Sequence, residues 1–220
     1  MAVAIIAGRA ILSMNSHTLY PSLGAQLTGR VGVQASGSCS SSSYPAGAEY
    51  TFERCTSSGD PVTWARCSTL TYSVDPAGAP PGYLADVRKA IDELNVATGL
   101  RLTQRSGTAF ISIAWDPSMY NPRPGAAGEA GVTRYQVVSD PFGAHFLKVS
   151  IRISSHLEAG PARRAGEEPV LLHELGHAVG LGHNPAEVVM NPVDQGFTSY
   201  QAGDLAGLKA LYHPASCGHS

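Results

Sequence analysis

From Leu70 onward the chain switches between two hydrophobic periods, and each switch marks an element. Leu70-Thr71-Tyr72-Ser73-Val74 places its apolar residues two apart, the period of a half-buried strand, and stops at the turn pair Asp75-Pro76. Leu84, Val87, Ile91 and Leu94 then share one helical stripe that ends at Gly99, which predicts a helix over 84–98. Two strands follow, Leu100–Gln104 and Ala109–Trp115, parted by the turn-like Arg105-Ser106-Gly107-Thr108. In the second, Ile111, Ile113 and Trp115 form an apolar face opposite Phe110, Ser112 and Ala114, as expected of an inner strand.

A Pro- and Gly-rich stretch over 116–131 separates these from two further strands, Val132–Val138 and Lys148–Ser154. In the latter Val149, Ile151 and Ile153 alternate with Lys148, Ser150, Arg152 and Ser154, and charged residues on the outer face are the pattern expected of an edge strand. A free edge can take up an extended peptide by main-chain hydrogen bonds, so Val149 and Ile151 are candidate substrate-binding positions. Leu171, Leu172, Leu175, Ala178 and Val179 predict one side of another helix. It is expected to begin near Pro169, whose missing N–H is harmless in a first turn, after the favourable charges of Glu167 and Glu168. These elements imply a single α+β domain with a mixed twisted sheet and an upper helix at 84–98.

Before residue 60 the pattern dissolves. Residues 15–48 are rich in Ser, Gly and Ala and read as linker or extension, while Tyr50-Thr51-Phe52 and Pro61-Val62-Thr63-Trp64 suggest a hairpin leading into the domain. Met1 to Met14 is mostly apolar, but Arg9 interrupts it, and it has neither a positive start nor a small-residue cleavage site. It is also too short to span a bilayer, and no later run is long enough. The expected division is an N-terminal extension over 1–60, serving as signal, propeptide or linker, and a folded domain over 61–217.

Composition narrows the partners. The net charge is −2 and no Lys/Arg cluster occurs, which speaks against a nucleic-acid surface. Only 15% of residues are charged, against 24 Gly and 15 Pro, a balance that suits a loop-rich secreted protein, expected as a monomer. Cys39, Cys55, Cys67 and Cys217 allow three pairings, of which Cys39 with Cys55 and Cys67 with Cys217 is preferred; free thiols in a reducing compartment are the alternative.

The chemistry is concentrated in His173-Glu174-Leu175-Gly176-His177-Ala178-Val179-Gly180-Leu181-Gly182-His183, with Met190 seven residues on. On a helix His173 and His177, four apart, project from one face and can converge on one ion. Gly180 can then turn the backbone sharply, so that the returning chain delivers His183 as a third ligand. Three imidazoles and a water make an open zinc site of the catalytic type. Glu174, one residue past the first ligand, points about 100° away around the helix and is placed as a general base rather than a ligand.

These residues resemble the metzincin zinc peptidases, whose pattern is H-E-x-x-H-x-x-G-x-x-H followed by a Met-containing turn, here Val188-Val189-Met190-Asn191-Pro192. Within them the chain is most similar to secreted bacterial matrixin-like proteins. Trp64-Ala65-Arg66-Cys67, Tyr72-Ser73-Val74-Asp75-Pro76 and the run from Tyr200 to Tyr212, which matches the closing helix near 202–212, carry that likeness. The resemblance implies a zincin-like fold and zinc-dependent endopeptidase activity on a peptide or protein substrate. It makes His173, His177 and His183 the Zn2+ ligands, Glu174 the base and Met190 an apolar floor. Asn191 and Pro192 leave no tyrosine after Met190 for a fifth ligand, as in the matrixin branch. Only Arg66-Cys67 matches the family's prodomain cysteine motif, so no cysteine latch is expected.

Nothing in the sequence supports a structural Ca2+ or a second Zn2+, because His145 and His156 lack the family's His-x-Asp ligand spacing. Asp204 is expected to serve the closing helix near its N-terminus. Two rival readings keep the metal but change the outcome: a zinc-containing module that binds peptides or surfaces without cleaving them, and a zinc amidase acting on a non-peptide bond.

Overall fold

Thr69–Asp75 (β1), Arg101–Gln104 (β2), Ile111–Asp116 (β3), Gly131–Asp140 (β4) and Gly143–Ser154 (β5) form one sheet in the order β2-β1-β3-β5-β4. The structure is a computed structural model and describes residues 39, 50–65, 69–116, 118–119, 130–140, 143–154 and 163–212. Four strands run parallel, and β4 pairs antiparallel with β5, so the sheet is mixed. Together with three helices this is an α+β architecture.

The strand order corrects one expectation. Lys148–Ser154 lies inside the sheet: β5 pairs with β3 from Val149 to Ser154 on one side and with β4 along the other. Its alternation has a different cause, a sheet with one packed and one more open face. Val149, Ile151 and Ile153 are buried beside their register partners Ile111, Ile113 and Trp115, whereas Ser150 and Arg152 are half-buried. Period-two alternation reports which face is covered and is silent about neighbours. With β5 paired along both sides, Val149 and Ile151 lose the reason for which they were assigned to a peptide. Among the described strands β2 and β4 stand at the two edges of the sheet.

Tyr83–Thr98 (α1) ends, as expected, at Gly99, which takes φ of 70° and donates its N–H to the Asn95 carbonyl. Its buried stripe runs through Tyr83, Val87, Ala90, Ile91 and Leu94, while Leu84 is 37% exposed. Tyr83 takes the place expected of Leu84 and packs edge-on against Trp115. Arg163–Val179 (α2) begins about a turn and a half before Pro169. Arg163, Arg164, Ala165, Glu167 and Glu168 favour helix and carry it through the proline, at the cost of one hydrogen bond. α2 packs against α1, β4 and β5, and Lys89 pairs with Glu168 at 2.6 Å between the two helices. Ala202–Leu211 (α3) closes the chain against α1. No helix among the described residues is long and apolar enough to cross a membrane.

A hairpin precedes the domain and folds back onto it, but it closes through Cys55 and Pro61, whereas Phe52 pairs with Leu181 and Thr63 with His145. Thr56 and Val62 donate N–H groups to the Asp60 and Arg54 carbonyls, and Phe52, Cys55, Val62 and Trp64 join the same buried core as the sheet and α2. The packed unit therefore reaches back across residue 60. Cys39 and Cys55 form a disulfide; the pairing preferred for Cys67 and Cys217 lies outside the described residues.

Candidate metal centre

α2 brings His173, Glu174 and His177 to a fully buried position, since Leu171, Leu172, Leu175, Ala178 and Val179 pack the rest of its circumference. Gly180 then takes φ of 109° and its N–H caps the His177 carbonyl. A side chain there would also meet the Val62 carbonyl at 2.9 Å, so glycine is required on both counts. The chain returns through Leu181 and Gly182 to half-buried His183.

The three imidazoles converge. Nε2 of His173 lies 3.0 Å from Nε2 of His177 and 3.2 Å from Nε2 of His183. Nδ1 of His173 lies 2.8 Å from the Val189 carbonyl, and Nδ1 of His177 lies 2.8 Å from that of Leu181. A carbonyl can only accept, so both Nδ1 atoms carry hydrogen and both Nε2 atoms turn lone pairs inward. Such a cluster repels itself unless a cation sits among the nitrogens. In a tetrahedral zinc site with Zn–N near 2.05 Å the nitrogens stand about 3.3 Å apart, close to what is seen here. The residues fit a metal ion held by His173, His177 and His183.

Charge around the rings is uneven. Among protein groups alone, burial drives His173 well below the usual imidazole value, with His177 adding to the effect, and burial likewise takes His183 to about 4. Burial pushes His177 down too, but the Glu53 carboxylate outweighs it, and with Glu174 and the Leu181 carbonyl lifts His177 to about 9. The groups behind His177 therefore favour positive charge among the rings.

No family model matches this chain, and comparison with curated proteins finds no match. The site therefore rests on its own geometry.

Glu174 is not a member of the ligand cluster. Its Oε2 accepts a hydrogen bond from the Thr133 hydroxyl at 2.6 Å, and Thr133, on β4, is fully buried. Gly131, at the start of β4, leaves room for that carboxylate: a Cβ there would stand 2.5 Å from Glu174 Oε1. Met190 is buried with its sulfur against Gly176, on the helix between the first two ligands, where any side chain would collide with it. The Met190 turn is fixed by Asp204. Its carboxylate accepts the N–H groups of Val189 at 2.9 Å, Met190 at 3.2 Å and Gln201 at 2.8 Å. Asp204 thus caps α3, as expected, and also anchors the turn below the ligands.

The end of α2 is tied down from two distant parts of the chain. Trp64 Nε1 donates to the Ala178 carbonyl at 2.9 Å, and the Tyr212 hydroxyl donates to the Val179 carbonyl at 2.8 Å. The loop bearing His183 pairs with residues 51–53: Glu53 N–H donates to the Gly180 carbonyl, Gly182 N–H to the Thr51 carbonyl, and the Thr51 hydroxyl to the His183 carbonyl. Glu53, Thr133 and Gly131 carried no signal in the sequence, because each acts on a residue far along the chain. His145 lies on β5, outside the ligand cluster, and His156 lies outside the described residues.

Proposed function

We propose that this chain is a zinc-dependent endopeptidase of zincin-like, matrixin-like type. The observation that carries the reading is the convergence of three Nε2 lone pairs beside a buried carboxylate that is itself held by Thr133. Bound at the three imidazoles, zinc supplies Lewis acidity, polarising a scissile carbonyl and acidifying water.

The chain's own groups do the rest. Glu174 accepts the proton from the attacking water and passes it to the departing amine nitrogen. Thr133 holds one oxygen of that carboxylate, and Gly131 leaves space for the other. The outer edge of β4, which starts at Gly131 beside Glu174, offers main-chain groups to an extended peptide, the role once expected of Val149 and Ile151. The Cys39–Cys55 disulfide supports an oxidising, extracellular setting.

Elemental analysis of the purified chain and cleavage of a quenched peptide library test the reading together. One zinc per chain, with cleavage abolished in Glu174→Gln and zinc retained, is the expected result. Zinc without cleavage of any peptide would turn the reading to the non-cleaving module or the amidase.

A further inference from the structure

We propose that Glu53 is a positioning residue for the metal ligand His177, which makes the segment 50–56 an integral part of the metal centre rather than a detachable extension. The proposal rests on the metal-site reading above and deepens it.

The geometry is that of a carboxylate behind an imidazole. Glu53 Oε2 lies 3.4 Å from Nδ1 of His177, the nitrogen that faces away from the cluster, and the Glu53 side chain is 9% exposed. Its other oxygen, Oε1, accepts the Tyr135 hydroxyl at 3.0 Å, and that hydroxyl accepts in turn from Arg54 Nε at 2.7 Å. The Arg54 guanidinium also lies 5.7 Å from the Tyr135 ring centroid. A carboxylate is expensive to bury without partners of this kind. Main-chain pairing with Gly180 and Gly182 fixes the backbone that delivers it.

Nδ1 of His177 already has the Leu181 carbonyl at 2.8 Å, so Glu53 is not needed to satisfy a stranded donor. What it adds is negative charge behind the ring. That charge strengthens the opposite nitrogen as a ligand and resists rotation of the ring, the effect by which outer carboxylates typically improve metal affinity about 10- to 100-fold. The same three residues that carry Glu53 hold the loop of His183, so two of the three ligands depend on this segment.

The test uses the full chain with its disulfide intact and zinc as the probe, in competition with a chromophoric chelator, with thermal unfolding of the metal-depleted protein as the control for folding. Glu53→Gln, which keeps the shape and one acceptor, is expected to weaken zinc about tenfold, and Glu53→Ala more, toward about 100-fold. The metal-depleted Glu53→Gln protein should still unfold in one cooperative transition, its midpoint lowered only by loss of the Glu53–His177 charge pair, and its cobalt-substituted form should show shifted visible bands. Tyr135→Phe, which removes the hydroxyl that donates to Oε1 and accepts from Arg54, should weaken zinc about three- to fivefold and serves if the Glu53 variants do not fold. Zinc affinity within twofold of the parent in Glu53→Gln, or in Tyr135→Phe if that variant has to serve, overturns the proposal. A parent chain that binds no zinc overturns the metal centre itself, a separate and recognisable result.

Discussion

Thr133 donates its hydroxyl to Glu174 across the gap between β4 and α2, at 2.6 Å and out of contact with solvent. The same hydroxyl lies 3.0 Å from the Glu174 carbonyl oxygen, so its single proton faces two acceptors and the shorter contact is the one to the carboxylate. Hydrogen bonds to charged groups contribute about 1.5–3 kcal/mol. Thr133→Val keeps the β-branched shape and should lower kcat about 10- to 100-fold with zinc content unchanged, while Thr133→Ser stays near the parent. Steady-state kinetics with metal analysis checks this, and equal kcat in the valine variant would remove Thr133 from the site.

Gly131→Ala tests the same carboxylate from its other side. The added carbon would sit 2.5 Å from Oε1 and 2.6 Å from Cγ of Glu174, which is boxed in and must shift. A displacement of about 1 Å in a catalytic group commonly costs about 100-fold in rate. Activity should fall by that order while chelator competition shows parental zinc affinity. A fully active alanine variant would mean that Glu174 has another productive position.

Asp204→Asn should loosen the Met190 turn. The carboxylate accepts three main-chain N–H groups, and an amide keeps one oxygen while turning an NH2 toward the donors of Val189 and Gln201. Leaving buried donors unmet costs about 1–3 kcal/mol each, so the midpoint of chemical unfolding should fall clearly. An unchanged midpoint would show that the turn is held by packing alone.

Acid should selectively erase one surface tie. Hydrogen bonds from the Ser118 hydroxyl and N–H, together with Arg152 at 2.6 Å, hold the Asp116 carboxyl below its ordinary 3.8. A depressed carboxylate stabilises the fold fully above the unfolded value and loses that contribution as pH falls through the folded one. Asp116→Asn should therefore cost about 1 kcal/mol near neutral pH and nothing in strong acid. A cost independent of pH would assign the effect to shape instead of charge.

Periodicity made most of the fold legible, because burial of one face writes itself into spacing. Ile111, Ile113 and Trp115 announced β3, and Gly99 announced the end of α1. The place of β5 was not legible, since Val149 and Ile151 alternate identically whether the strand stands at an edge or between β3 and β4. The ligand triad was readable because one helical turn and one glycine set its geometry locally. Thr133 and Glu53 were not, since their partners lie far along the chain, 41 residues away for Thr133, and only the folded sheet and hairpin bring them close.

The carbonyls that end α2 wait on Trp64 and Tyr212, which stand 148 residues apart and also bond each other, main-chain N–H to hydroxyl. A chain lacking Tyr212 would hold all three histidines but leave the Val179 carbonyl and the Trp64 amide without the partner that serves both. The end of the histidine-bearing helix is thus a property of the whole fold, although its three imidazoles lie within eleven residues of sequence.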